Sequence, residues 1–312
     1  MTLTRARTIQ YVGILFALGL IAVGYWYFSA RAGVKTNTSA SQSQGNGRLD
    51  SGLAGYWKLD ENTGTSAADA STNGNTGTLT NGPTWTTGQI GSGVAFDGSN
   101  DSIALSAGLG ILKNVSQATL AGWYNVSSVS GTERDIISLS INSGSPTTNS
   151  RASAYLNSTG KFTCGGRSTD GETFQAVDTT ATYPTGRWVH FACTINYATN
   201  TIKIYLDGAA QATTGTPAFA ATATANTTSS YNRIGAEDDG SAFFFLGSLD
   251  EIRIYNRGLS ADEIGQLYRL TAPTSVDTSL KGYWSFNGQD MSSTTAYDMS
   301  GAGNTGTLTN GP

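Results

Sequence analysis

From Leu53 onward the chain alternates apolar and polar residues in short runs broken by Gly, Asn, Asp and Pro. A period of two marks half-buried β-strands, and the breakers are turn formers. The clearest runs are 55–59, 93–96, 102–105, 118–126 and 135–141, then 152–156, 161–164, 188–195, 201–206 and 247–255. In 201–206, Ile202, Ile204 and Leu206 face one way while Lys203 and Tyr205 face the other. So many short strands predict an all-β sandwich or barrel. One helix closes the pattern over 259–268. Ser260 is its N-cap and Glu263 completes a capping box, with Leu259 and Ile264 set as a hydrophobic staple. Ile264, Leu267 and Tyr268 form one apolar stripe, which predicts packing against the strands.

The pattern changes at the N-terminus. Residues 11–28 form an unbroken apolar run behind Arg5 and Arg7, ending in Tyr25-Trp26-Tyr27-Phe28. At about 1.5 Å per residue such a run just crosses a hydrocarbon core roughly 30 Å thick. Residues 1–29 are therefore expected to be a single transmembrane helix with an aromatic belt at its outer end. The alternative is a cleaved signal peptide, for which Ala30-Arg31-Ala32 offers a small-residue site, although the run exceeds the usual ~7–15 residues. Both readings place the β domain outside the cytoplasm. Residues 30–52 are a Thr/Ser/Gln/Asn/Gly linker, and 271–279, around Pro273, form a second.

Charged residues make up 13% of the 312, against about 25% in typical soluble domains. The net charge is −4 and no Lys/Arg run occurs, which excludes an electrostatic footprint for nucleic acid. Cys193 alternates onto the apolar face of its strand with Val189, Phe191 and Ile195, and Cys164 shares a face with Phe162. A Cys164–Cys193 disulfide and two buried thiols both fit this placement. A metal site from these two and the lone His190 lacks the close cysteine spacing such sites use. His190 lies in mid-strand with no G-x-S-x-G elsewhere, so no hydrolytic triad is expected and the chain is read as a non-enzyme. Glu237-Asp238-Asp239-Gly240 gathers hard oxygen donors of the kind Ca²⁺ takes, and it is also an ordinary acidic turn. Asp97, Asp101 and Asp250 offer a second ion clamp between the first and last strands, with turn capping at Asp97-Gly98 the alternative.

The string Asn-Thr-Gly-Thr-Leu-Thr-Asn-Gly-Pro occurs twice, at 75–83 and 304–312, each time behind a Gly-Tyr-Trp word. The separation of about 230 residues reads as a tandem repeat. The expected division is 1–29 anchor, 30–52 linker, 53–270 complete β domain, 271–279 linker and 280–312 the truncated start of a second copy.

Several words, in this order, resemble the LamG-like jelly-roll family of the concanavalin A-like lectin/glucanase fold, which includes the pentraxins. They are Gly55-Tyr56-Trp57-Lys58-Leu59-Asp60-Glu61, Val94-Ala95-Phe96-Asp97-Gly98, Leu120-Ala121-Gly122-Trp123-Tyr124, Trp188-Val189-His190-Phe191-Ala192 and Ile204-Tyr205-Leu206-Asp207-Gly208. The closing signature runs from Gly247-Ser248-Leu249-Asp250-Glu251-Ile252-Arg253 through Asn256-Arg257-Gly258-Leu259-Ser260. The resemblance covers 53–270 and implies two antiparallel sheets. It implies no single ligand. Related glucanases carry E-x-D-x-x-E on one strand, which this chain lacks. Pentraxins place calcium ligands in the loop equivalent to Glu237, Asp238 and Asp239, with others near Glu133-Arg134-Asp135, so the resemblance implies a Ca²⁺ set that includes Asp135. Tyr231 and Phe243 lie where lectin-like jelly rolls often bind sugar, and an aromatic face beside polar groups suits a pyranose. The reading is a membrane-anchored surface protein recognising a glycan or surface polymer. The alternatives are an adhesive or structural spacer contacting surface protein, and a targeting module of a larger glycan-active enzyme.

Overall fold

Alternation along the sequence becomes two facing sheets. The structure is a computed structural model; it describes residues 49–271, except 107–108, 129–130, 142–149, 184 and 238–239, together with 284, 291–292, 295–296 and 306–309. The apolar run 11–28 lies outside the described residues, as does most of 280–312. Among the described residues no helix is long and apolar enough to cross a membrane.

The first strands are β1 (Leu53–Trp57), β2 (Ser66–Ala67), β3 (Gly77–Thr80), β4 (Thr84–Thr87), β5 (Ser92–Asp97) and β6 (Ser102–Leu105). The long central ones follow: β7 (Gln117–Val126), β8 (Arg134–Ser140), β9 (Ser150–Leu156), β10 (Lys161–Gly166), β11 (Gln175–Thr182) and β12 (Val189–Asn196). Next come β13 (Thr201–Leu206), β14 (Ala209–Ala210), β15 (Thr213–Thr214), β16 (Tyr231–Ile234) and β17 (Leu246–Tyr255), before helix α1 (Ala261–Thr271). All pair antiparallel. An eight-stranded sheet runs β14-β13-β12-β7-β17-β5-β4, with β1 also on β17, and a nine-stranded sheet runs β15-β11-β10-β9-β8-β16-β6-β3-β2. The all-β antiparallel sandwich expected from the sequence is the fold.

Between the sheets lies one core. Val94, Leu120, Phe191, Ile195 and Ile254 enter it from the eight-stranded sheet, and Ile103, Ile137, Leu139, Leu156 and Phe162 from the other. Tyr124 and Phe191 meet Phe162 across the gap, with ring centroids 5.9 and 5.4 Å apart. Beside them Cys164 on β10 and Cys193 on β12 form a disulfide, with Cα atoms 6.0 Å apart, so the pairing alternative holds. The bond ties one sheet to the other.

A second, smaller core covers the outer face of the eight-stranded sheet. Leu259, Ile264 and Leu267 of the α1 region pack on Ala121, Ala192, Tyr205 and Tyr255. Tyr205 does point away from the sandwich interior, yet it is buried because the helix lies over it. The capping box forms as read: Glu263 N donates to Ser260 Oγ at 3.2 Å and Ser260 N to Glu263 Oε2 at 2.8 Å.

Three short strands, β18 (Met291–Ser292), β19 (Thr295–Ala296) and β20 (Gly306–Thr307), follow the helix in sequence. Thr295 opposes Thr307 and Ala296 opposes Gly306, the register of Ser66 with Thr78 and Ala67 with Gly77 about 230 positions earlier. The repeated words thus carry the same local pairing.

Reducing the disulfide, or making Cys164→Ala/Cys193→Ala, is expected to lower unfolding free energy by about 3–4 kcal/mol, the chain-entropy value for a loop of this length. Urea unfolding with and without reductant measures it. A change under about 1 kcal/mol would show that burial alone holds the sheets together.

Candidate functional site

Because the inner faces are used by the core, a partner can reach only the outer ones. The helix covers much of one. On the other, strand register decides which side chains stand together. Asp135 opposes Tyr155, Tyr155 opposes Thr163, Thr163 opposes Asp178 and Asp178 opposes Thr214. Opposed residues in antiparallel strands point the same way, so these five form a polar row across the nine-stranded sheet. Alongside it runs a second row of Thr78, Ala104, Arg233, Ser138 and Ser153.

The first row is electrically tight. Thr163 Oγ1 donates to Asp178 Oδ1 at 2.7 Å. Glu133 stands immediately before β8, close enough to Asp135 for the two carboxyls to act on one another. Burial pushes Glu133 up to about 7, the interaction with Asp135 opposes this, and the Asp178 charge adds to it. Tyr155 is 7% exposed. Burial, then the Glu133, Asp135 and Asp178 charges, raise its phenol well above the usual value, so the hydroxyl keeps its proton. Asp135, Thr163 and Tyr155 are buried, at 0, 2 and 7% exposed, so the row meets solvent at its other end, through the half-buried Asp178 and the exposed Thr214. Along it a phenol donor, a threonine hydroxyl and carboxylate acceptors alternate on rigid strands. Such alternation of donors and acceptors matches the vicinal hydroxyls of a sugar.

The residues singled out from the sequence fall in three places. Asp135 and the loop that follows β16 do meet: Asp135 N donates to Phe243 O at 2.9 Å, and Glu237 N to Ala242 O at 3.1 Å. Arg134, which interrupts the acidic word Glu133-Arg134-Asp135, turns away and donates to Phe244 O at 2.8 Å. Phe243 is half-buried at a left-handed turn, φ 51°, and the neighbour sent into the core is Phe245. Asp238 and Asp239 lie outside the described residues. Tyr231, 37% exposed, opposes Ser140. Five positions of β8 separate that point from Asp135, about 17 Å at the strand rise, so Tyr231 does not join the acidic end.

For calcium, the described carboxylates of this loop are Asp135 and Glu237, short of the six to eight oxygens Ca²⁺ takes. Among the described residues no group of three or more His, Cys, Asp or Glu is placed to hold a metal. The other proposed clamp separates. Asp101 Oδ2 accepts from Asp97 N at 3.0 Å and Asp97 Oδ1 from Ser99 N at 2.8 Å, which is turn capping. Asp250 stands elsewhere, opposite Trp123, with Oδ2 accepting from Ile90 N at 2.9 Å. Tyr155, Thr163 and Asp178 were not singled out from the sequence. Their only signal is polar alternation opposite core residues Leu156, Phe162 and Val177.

A profile of the concanavalin A-like lectin/glucanases superfamily matches residues 97–265. No curated protein matches the chain. Among solved structures, domain 4 of AbnA, a GH43 extracellular arabinanase from Geobacillus stearothermophilus in complex with arabinotriose, aligns at 18% identity and TM-score 0.49, over 69% of this chain and 98% of that one. Trypanosoma rangeli sialidase in complex with sialic acid aligns at 13% identity and TM-score 0.53, over 71% of this chain and 34% of the sialidase. The binding domain of Paraclostridial Mosquitocidal Protein 1 gives 16% and 0.53, over 78% of this chain and 56% of that one. The chain thus spans about a third of the sialidase and little more than half of the toxin domain. The sialidase and toxin likenesses show a shared sandwich fold and nothing about ligand.

Glu133 supplies a pH test. An acid whose pKa is raised on folding favours the native state below its unfolded value and loses that advantage as pH rises through the folded one. Stability should therefore fall between about pH 4.5 and 7, and Glu133→Gln should flatten that stretch. Urea midpoints from pH 4 to 8 measure it; an unchanged slope in the variant would show that Glu133 is not the group that titrates there.

Proposed function

Because this chain belongs to the concanavalin A-like lectin/glucanase superfamily, we propose that it is a membrane-anchored, extracytoplasmic binding protein. In this reading it recognises a glycan or surface polymer without cleaving it. The observation that carries it is the polar row Asp135–Tyr155–Thr163–Asp178–Thr214 on the outer face of the nine-stranded sheet, buried at Asp135 and open to solvent at Asp178 and Thr214. Strands fix those side chains in place, which reduces the entropy lost on capturing a flexible polymer. Glu133 and Asp135 act on one another directly, and this reading assigns the pair to hydrogen bonding rather than to glycoside hydrolysis. The apolar run 11–28 would hold the domain at the outer membrane surface, and the linker 30–52 would let it sample that surface. Single-site affinity would be weak, and further copies would raise it by avidity. Calcium at the Glu237–Gly240 loop enters the proposal only as a stabilising partner. The recurrent register of Thr295–Ala296 with Gly306–Thr307 favours a second reading, an arrayed spacer that contacts surface protein.

Full chain reconstituted in liposomes is expected to capture soluble polysaccharide at the vesicle surface from a panel of plant, bacterial and animal polymers, leaving the polymer's size unchanged. Asp178→Asn should weaken capture about tenfold, the loss of roughly one charge-assisted hydrogen bond. Parallel arms with EDTA and Ca²⁺ show whether the acidic loop contributes. Capture of no polymer would favour the spacer, and shortening of the polymer would overturn the non-catalytic reading.

A further inference from the structure

The helix-covered face of the eight-stranded sheet is not fully closed. Where α1 ends, a cavity of about 450 Å³ opens between the helix and the sheet, lined by Trp123, Asn125, Trp188, Tyr268 and Gln89. Its size falls within the ~300–1,000 Å³ of small-ligand sites. Arg187 and Asp207 complete the wall, paired at 3.0 Å. Their charges cancel, so the cavity carries no net attraction for phosphate, a carboxylated ligand or a cation. Asn125 and Gln89 add amide donors and acceptors, which disfavour a purely apolar occupant.

The aromatic groups offer carbon surface. Trp123 Nε1 donates to Thr271 Oγ1 at 2.9 Å and the residue is 2% exposed, so its indole forms the floor under the cavity and leaves the open ring contact to Trp188 and Tyr268. Trp188 and Tyr268 are half-buried, each with part of its ring left to solvent. Against these rings lies His190, 0% exposed. Its ring centroid is 5.2 Å from that of Trp123 and 5.7 Å from that of Tyr268, yet among the described residues neither Nδ1 nor Nε2 has a hydrogen-bond partner. Buried imidazole nitrogens without partners are rare, because each leaves a desolvated polar group uncompensated. Burial, and then the charge of Arg253, hold the ring's pKa down to about 3, so it is neutral and able both to accept and to donate.

We propose that this cavity binds one sugar ring of a neutral saccharide, stacked on Trp188 and Tyr268 and hydrogen-bonded by Asn125, Gln89 and the Asp207 carboxylate. Aromatic surface with planar amides and a neutralised ion pair suits a ring that has one apolar face and a rim of hydroxyls. The site lies on the opposite sheet from the polar row and does not rest on it. Two sites on opposite faces would let one domain bridge two glycan chains.

The test is an NMR titration of full chain in detergent micelles with glucose, galactose, mannose and arabinose, and with sialic acid and glucuronic acid as anionic controls. The indole Nε1–H of Trp188 and the side-chain amide of Asn125 are followed beside the Tyr155 and Thr163 backbone amides. The proposal expects at least one neutral sugar to shift the Trp188 and Asn125 signals saturably, with the anionic sugars failing to do so. Asn125→Ala should weaken the binding read from the Trp188 Nε1–H shift at least tenfold while the protein keeps its melting temperature; Trp188→Ala, followed at the Asn125 side-chain amide, is a second variant should the first misfold. Shifts confined to Tyr155 and Thr163 would overturn this site and leave the open-face reading standing. Shifts confined to the cavity would do the reverse. Sialic or glucuronic acid binding in preference to neutral sugars would also overturn it.

Discussion

Everything outward-facing in this molecule depends on the mutual burial of two inner sheet faces. Each strand spends every second residue on that core, and what remains is fixed in direction by the pleat. Phe162 and Cys164 from one sheet meet Tyr124, Phe191 and Cys193 from the other, so packing and a covalent bond act at the same level of the sandwich. A slip of one residue in β10 would turn Phe162 and Cys164 outward and Thr163 inward, losing both at once. Register is thus held strongly, and the polar row on the outer surface inherits that rigidity.

The last long strand is where the fold makes its hardest accommodation. β17 pairs with β1, β5 and β7, and its ladder to β7 slips between Asp250 and Arg253. Glu251 sits in that bulge at φ 57°, a region most side chains avoid at a cost of order 1 kcal/mol or more. Its carboxylate accepts from Tyr56 Oη at 2.7 Å and pairs with Arg253, whose guanidinium lies 3.8 Å from the Tyr56 ring centroid. The bulge also turns Asp250 toward the segment before β5, where burial and the neighbouring Glu251 and Asp60 charges push its carboxyl up to about 8. Chain closure explains why Gly247 to Ser260 reads as so dense a signature. Those residues fix a bulge, a buried ion pair and a helix cap in succession.

The sequence showed most of the architecture where apolar alternation was strong: 118–126, 188–195 and 201–206 all became strands, and Ser260 and Glu263 capped the helix as read. It hid strands whose inward residues are not apolar. In β16, Asn232 points inward, where its amide nitrogen donates to Ser106 O and Ser229 O at 3.1 and 3.2 Å, so Tyr231–Ile234 lacks the usual alternation. In β11, Val177 is the one large apolar residue among Gln, Asp and Thr. The polar row was illegible for a related reason. Its members come from five separate strands, and only pairing register brings them side by side. Asp135 was singled out as a calcium ligand by the pentraxin resemblance, whereas register places it opposite Tyr155 and beside Glu133.

The two outer faces now have different characters: one carries a rigid polar row, buried at Asp135 and Thr163 and open at Asp178 and Thr214, the other is a helix-covered face with one neutral cavity. The central claim is that the open face is the recognition surface. Paramagnetic broadening by a spin-labelled oligosaccharide, chosen from whichever polymer the liposomes capture, tests it most directly on full chain in micelles. The account expects the Tyr155, Thr163 and Asp178 amides to broaden at low probe concentration and to recover when unlabelled oligosaccharide is added. Broadening that spares all three while affecting other surfaces would contradict it.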